Sequence, residues 1–147
     1  MATGVRYNVG VSRQVARFLR SLEPQTRDSV VREAMERVAR AAEERAKTVE
    51  IVRGRGNAPP LPDRLSWRTG HLTRSISTDL SLAPRAWIVG TAVKYGPVHE
   101  LGLLVQRPGG TVKYPERPFL SPAAEWVIEA RAGEFFRRAL ERARDRA

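Results

Sequence analysis

Two histidines, His71 and His99, are the side chains in this sequence best suited to metal binding or acid–base chemistry. They lie far apart in the chain, and a zinc site would have to join them through carboxylates such as Asp63 or Glu100 without any known ligand spacing. His99-Glu100 does not begin a His-Glu-x-x-His zinc motif, because Leu103 stands where the second histidine belongs. A polar surface or interface position is therefore the better interpretation of both histidines, and we predict no metal site.

Covalent catalysis finds equally little support. The chain has no cysteine, so neither a thiolate nucleophile nor a disulfide can form, and it lacks the Gly-x-Ser-x-Gly segment of serine hydrolases. The glycines at positions 54, 56 and 70 are not followed by the Gly-Lys-Ser/Thr of a phosphate-binding loop. Most acidic residues alternate with arginines on predicted helices, which is typical of a solvated face. We predict that the chain is not an enzyme and binds no cofactor; an enzyme with an unrecognised site is the weakest alternative.

The length and composition indicate a single, strongly basic domain that spans residues 1–147. The net charge is +10, and of 26 basic residues only Lys47, Lys94 and Lys113 are lysines. Arginine binds phosphate oxygens in pairs, which suits contact with nucleic acid, but a GC-rich genome gives the same arginine excess without any function. The sequence predicts neither a membrane span nor a signal peptide, so we expect the chain to stay in the cytosol until it is assembled.

Apolar spacing predicts the elements of the N-terminal half. Alternation over residues 1–11 predicts a strand, and Ser12 is a suitable cap for a short helix that ends before Pro24. From Gln25 to Val49 apolar residues recur at spacings of three and four, which predicts one long helix. Its alanine-rich stripe allows a close approach by the core or by a second subunit.

A long loop is predicted at residues 53–66, where three prolines and two glycines break every periodicity. A connection of this length is either functional or mobile. Arg53, Arg55 and Arg64 in this loop are candidates for contact with DNA or with a partner protein.

Strands and a last helix follow the loop. We predict β-hairpins with turns at 83–85 and 108–110, a short helical turn within 94–101, and a C-terminal helix over 121–146 that Ser121 caps. The predicted fold is α+β: a long N-terminal helix and a C-terminal helix packed on a small antiparallel β-sheet, with a long Pro/Gly-rich loop.

Four short segments carry a resemblance to a known family. They are Thr-Gly-His-Leu-Thr-Arg-Ser-Ile at 69–76, Val-Gly-Thr at 89–91, Tyr-Gly-Pro-Val-His-Glu-Leu-Gly at 95–102, and Arg-Pro-Phe-Leu-Ser-Pro-Ala at 117–123. In this order they resemble the HK97 gp10-like family of phage tail-completion or neck proteins and the related virion-morphogenesis proteins. The chain departs from the family pattern at Pro97, at Leu101 and in an inserted Pro-Gly-Gly turn.

The resemblance implies a structural virion protein, a subunit of a ring at the head–tail junction of a tailed phage. Such rings are usually hexameric and contact neighbouring neck and tail proteins, such as a head-completion protein, a tail terminator or the tail tube. The implied place is therefore the virion neck or tail, after assembly in the host cytoplasm. A tail-terminator ring protein is one alternative, and a free, non-specific DNA-binding protein is an alternative from another class.

Within the four segments we separate residues that build the fold from residues that contact a neighbour. Candidates for subunit contacts are Tyr95, His99, Glu100 and Arg117. Residues expected to serve the fold are Thr69, Gly70, Leu72, Ser75, Ile76, Gly102, Pro118, Phe119 and Leu120. Gly70 and Gly102 are expected at sharp turns that need a positive φ.

Overall fold

Helices account for most of the chain that the structure describes. The computed structural model describes residues 3–4, 13–54, 65–67, 69–79 and 87–146. The helices are α1 Arg13–Ser21, α2 Pro24–Arg45 (continuing as a π-helical turn, Ala46–Glu50), α3 His71–Ser75, α4 Gly96–Leu101, α5 Leu120–Ala130 and α6 Ala132–Asp145. The strands are β1 Thr3–Gly4, β2 Ile51–Arg53, β3 Leu65–Trp67, β4 Ile76–Asp79, β5 Ile88–Thr91, β6 Leu103–Arg107 and β7 Gly110–Tyr114. This mixture confirms the predicted α+β class.

The long helix α2 is the central element of the fold. Pro24 occupies its first turn, where a missing N–H is harmless. Val30, Ala34, Val38 and Ala42 recur every four residues and are all buried, so one stripe of the helix faces inward. That stripe packs against α5 and α6, and the small alanine side chains permit the close approach. Together with its π-helical turn, the helix spans residues 24–50, so its start and its end each lie one residue from the predicted position.

A three-stranded antiparallel sheet, ordered β1-β5-β4, lies beside α2. Thr91 of β5 pairs with Thr3 on one side and with Ile76 on the other, which confirms the predicted hairpin of β4 and β5. Residues 80–86, with the predicted turn at 83–85, lie outside the described residues. Of the strand predicted over 1–11, only the part at 3–4 is described as a strand.

A polar contact ties α2 to this sheet. Lys47 Nζ donates to Glu43 Oε1 at 2.6 Å, and Thr78 Oγ1 of β4 donates to Glu43 Oε2 at 2.6 Å. Partial burial raises the pKa of Glu43, but the hydrogen bonds from Lys47 and Thr78 and the charge of Lys47 outweigh it, so the pKa lies below its usual value. The stabilisation from this contact is therefore present at neutral pH and is lost as the pH falls through the lowered pKa.

The predicted loop 53–66 was wrong at both ends. Ile51–Arg53 and Leu65–Trp67 form a parallel pair, with Ile51 opposite Leu65, so the sheets are not all antiparallel. Ile51 and Leu65 are buried in the same apolar cluster, and their burial draws the two ends of the loop together. Residues 55–64 lie outside the described part of the chain.

The predicted C-terminal helix over 121–146 is in fact two helices, α5 and α6, separated at Arg131. The backbone leaves helical geometry there (φ −127°, ψ −24°), while Arg131 N–H still donates to Val127 O at 2.9 Å. Val127 of α5 and Phe135 of α6 are buried in one cluster with Val38 of α2. The break lets both helices turn an apolar face to α2.

The least accessible large side chains identify the core. They are Phe119, Ile51, Ile76, Val30 and Val127. Phe119, Ile51 and Ile76 share one buried cluster, whereas Val30 and Val127 belong to two further clusters that pack along α2. Within the described ranges, no helix is long and apolar enough to cross a membrane.

Candidate functional site

The family-like segments contact one another directly. Ser75 Oγ and Thr91 Oγ1 lie 2.6 Å apart, which joins the first segment to the Val-Gly-Thr strand. Gly96 packs so closely on this strand that a Cβ there would lie 2.5 Å from Thr91 Cγ2 and 3.7 Å from Leu72 Cδ1. Three segments that are separate in sequence therefore form one packed unit.

Substitution of Gly96 by alanine tests this packing. Thr91 cannot move aside easily, because it is only 4% exposed and its hydroxyl bonds both Ser75 Oγ and Val93 N–H. We expect Gly96→Ala to lower the free energy of unfolding by about 1–3 kcal/mol through overpacking. Thr91→Ser removes only the clashing Cγ2 and keeps the hydroxyl, so it should restore most of that loss. Urea unfolding of both single variants and the double variant measures the coupling; purely additive losses would contradict the contact.

The first family-like segment serves the fold. Gly70 has a φ of +70°, as predicted, and leads into α3. Arg74 Nη2 donates to Thr69 O at 3.0 Å, and Leu72 and Ile76 are buried in the core. His71 is exposed at the start of α3.

Glu100 has the largest number of internal hydrogen bonds in the site. Its Oε2 accepts from Phe119 N–H at 2.8 Å and from Leu120 N–H at 2.9 Å, and its Oε1 accepts from Ser121 N–H at 2.8 Å and from Ser121 Oγ at 2.5 Å. The side chain is only 6% exposed. The carboxylate therefore caps the first N–H groups of α5, where a negative charge also suits the helix dipole.

This arrangement corrects two predictions. Glu100 was expected at a subunit contact, but both of its oxygens are bonded inside the chain and no surface remains for a neighbour. Ser121 was expected to cap the last helix, but α5 begins at Leu120 and the cap comes from α4. Ser121 instead donates its hydroxyl to the Glu100 carboxylate.

The other predicted contact residues lie next to this cap, with Tyr95 exposed and His99 and Arg117 half-buried. Arg117 N–H donates to His99 O at 2.7 Å, and the rings of Tyr95 and His99 meet edge to face at 5.9 Å. Partial burial, and then the charge of Arg117, lower the pKa of His99, so it is neutral at pH 7. Tyr95 is 43% exposed, which leaves it available to a neighbour.

The last family-like segment leads from this surface into the core. Pro118 is exposed, whereas Phe119 is fully buried and Leu120 is 6% exposed. Gly102 has a φ of +68°, as predicted, and a Cβ there would lie 2.9 Å from Glu116 Cγ. The backbone thus passes closely between α4 and the segment before α5.

The β6–β7 hairpin is a surface that the sequence did not single out. It is regular from Leu103 opposite Tyr114 to Arg107 opposite Gly110. Eight of its ten strand residues are exposed, and Val105 and Tyr114 are half-buried. Leu104 is 66% exposed, Leu103 46% and Val112 38%. The apolar residues on either side of the Pro-Gly-Gly turn are visible in the sequence, but whether anything covers them is a tertiary property.

The structure says less about the other predicted site residues, the arginines of the loop. Arg55 and Arg64 lie outside the described residues, and of Arg53 only the backbone is described, in β2. In the described parts of the chain, no group of three or more His, Asp or Glu side chains is placed to hold a metal ion. Several arginines of α2 and α6 are paired with a glutamate on the same helix, such as Arg40 with Glu36 and Arg138 with Glu134.

Comparisons with protein-family models, with curated proteins and with solved structures give no match to this chain.

Proposed function

We propose that this chain is a structural subunit of a ring in the neck or tail of a tailed phage, and that it completes the tail or joins it to the head. Its partners would be further copies of itself and neighbouring neck and tail proteins, and its place would be the virion. The proposal assigns it no catalysis and no cofactor. It begins from the resemblance of the four segments to phage tail-completion and neck proteins.

The contacts between the four segments support this proposal. Four short sequence matches would be weak support for the resemblance if the segments lay apart in the fold. Here Ser75 bonds Thr91, Gly96 packs on Thr91, and Glu100 caps the helix that follows Phe119. The resemblance is therefore one to a single folded unit, in which each segment needs the others.

The observation that carries the assembly role is the exposed β6–β7 hairpin. Leu103 and Val112 lie on one face of the hairpin and are 46% and 38% exposed, and apolar surface of this kind on soluble proteins often marks an interaction site. A ring is closed by heterologous contacts, in which one patch meets a different patch of the next copy. A projecting hairpin suits such a contact.

Particle size and DNA binding test the proposal against a free DNA-binding protein. The net charge of +10 favours that alternative. We expect light scattering and negative-stain microscopy of the purified chain to show closed rings, six-fold by the resemblance, and DNA binding that is weak, salt-sensitive and independent of sequence. A chain that stays monomeric at every concentration and binds DNA tightly would overturn the ring.

A further inference from the structure

Most apolar side chains of the β6–β7 hairpin share one face, and Leu104 lies on the other face opposite Lys113. Side chains alternate across a strand, and the register places Leu103, Val105 and Arg107 of β6 on the same face as Val112 and Tyr114 of β7. Arg107 Nη2 donates to the Tyr114 hydroxyl at 2.9 Å, which agrees with this assignment and holds a cation on the apolar face. We call these five residues the hairpin face.

Among the described residues, nothing covers the hairpin face completely: Leu103, Arg107 and Val112 are exposed, and Val105 and Tyr114 are half-buried. None of its residues belongs to the buried clusters of the described core, and β6 and β7 pair only with each other among the described strands. An isolated two-stranded hairpin is marginally stable in water and needs something to pack against. The apolar side chains here point to a partner as the missing layer.

A surface of opposite character lies on α5. Glu125, Trp126 and Glu129 are exposed and lie on one side of the helix. Trp126 is 41% exposed and rests on the guanidinium of Arg45, 4.1 Å from ring centroid to Cζ. Neither carboxylate has an ion-pair partner among the described residues. We call Glu125, Trp126 and Glu129 the α5 face.

Charge selects the pairing of these two surfaces. Residues 103–114 contain two cations, Arg107 and Lys113, and no acid, whereas α5 contains two acids and no cation. Since the whole chain carries +10, most contacts between two copies would be repulsive. The exposed charged residues of α5 are all negative, which distinguishes it from the other described helices, and the Arg45 guanidinium beside Trp126 is ion-paired with Glu50 at 3.1 Å. Charge therefore favours the α5 face over other described surfaces as a site for the hairpin face.

We infer that the hairpin face of one subunit docks on the α5 face of a second copy of this chain. Arg107 would lie between Glu125 and Glu129, and the apolar strand residues would cover Trp126. Leu103, Arg107 and Val112 of the hairpin face and all three residues of the α5 face are exposed in a single chain, so the two faces do not cover each other within it. The two faces differ, so the contact is heterologous and repeats from copy to copy, as a closed ring requires. The inference rests on the proposed ring and names its contact.

Charge reversal on the two sides of the hairpin provides a matched test. Arg107→Glu places a carboxylate against the α5 face, whereas Lys113→Glu makes the same change of charge on the opposite side of the hairpin. We expect Arg107→Glu to raise the concentration needed for assembly at least about tenfold, Lys113→Glu to change it much less, and Arg107→Glu with Glu129→Arg to restore assembly. Mass photometry measures all three variants. Equal effects of the two single reversals, or no effect of Arg107→Glu, would overturn the docking.

Cross-linking separates this contact from the proposed function. The chain has no natural cysteine, so Val112→Cys and Glu129→Cys introduce single thiols. We expect oxidation to link the two variants when they are mixed and neither variant with itself; Thr111→Cys, on the other side of the hairpin, should not link to Glu129→Cys. Rings without the expected cross-link would overturn the docking but leave the ring proposal intact. Absence of any self-assembly would overturn both.

Discussion

Replacement of Glu100 by alanine is expected to lower the free energy of unfolding by about 3–5 kcal/mol, because it removes a buried charged acceptor. Three N–H groups at the start of α5, those of Phe119, Leu120 and Ser121, lose their partner together. The site is too buried for water to replace the carboxylate fully, since Glu100 is only 6% exposed. Urea unfolding followed by circular dichroism measures the loss.

Two control variants separate the cap from a general effect of losing a glutamate. Glu100→Gln keeps one acceptor oxygen and should cost about 2 kcal/mol. Glu44→Ala removes an exposed glutamate of α2 and should change the stability by no more than about 0.5 kcal/mol. If Glu100 served a subunit contact instead, Glu100→Ala would impair assembly and leave the unfolding of the monomer unchanged. That result would contradict the cap.

The elements that short-range pattern determines were predicted correctly. The stripe of α2 needs only apolar residues at a helical period, and the hairpin turn at 108–110 needs only glycine beside strand-forming residues. Gly70 and Gly102 were placed at positive φ for the same reason. Each of these features depends on neighbours within a few residues, which a sequence shows directly.

The features that were missed depend on contacts between distant residues. Glu100 bonds residues about twenty positions away in the chain, and glutamate is rarely buried, so a surface position was the natural prediction for it. No proline marks the break at Arg131, where packing of Val127 and Phe135 on α2 determines the turn. The pairing of β2 with β3 likewise follows from the joint burial of Ile51 and Leu65.

The same distinction between local pattern and distant contacts applies to the candidate site. Sequence alone singled out Tyr95 and Arg117 as subunit contacts, because they lie in the family-like segments, and that role stays a prediction. It did not distinguish them from Glu100, which belongs to the interior. The hairpin face and the α5 face emerged only from the register of β6 with β7 and from the exposure of Trp126. Neither stretch of sequence shows how exposed its side chains are, because exposure depends on the packing of distant residues.

Phe119→Ala should cost about 3–5 kcal/mol in the free energy of unfolding, since a fully buried aromatic ring is replaced by a cavity. The ring sits in the cluster that joins Ile51 and Ile76, so its loss loosens β2, β4 and the start of α5 together. Phe18→Ala deletes the same ring from a site on α1 that is 50% exposed, and should cost less than about 1 kcal/mol. Urea unfolding of the two variants compares them. Similar losses of unfolding free energy in the two variants would mean that Phe119 does not anchor the core. They would contradict the interpretation that the Arg-Pro-Phe-Leu segment leads the chain into the interior.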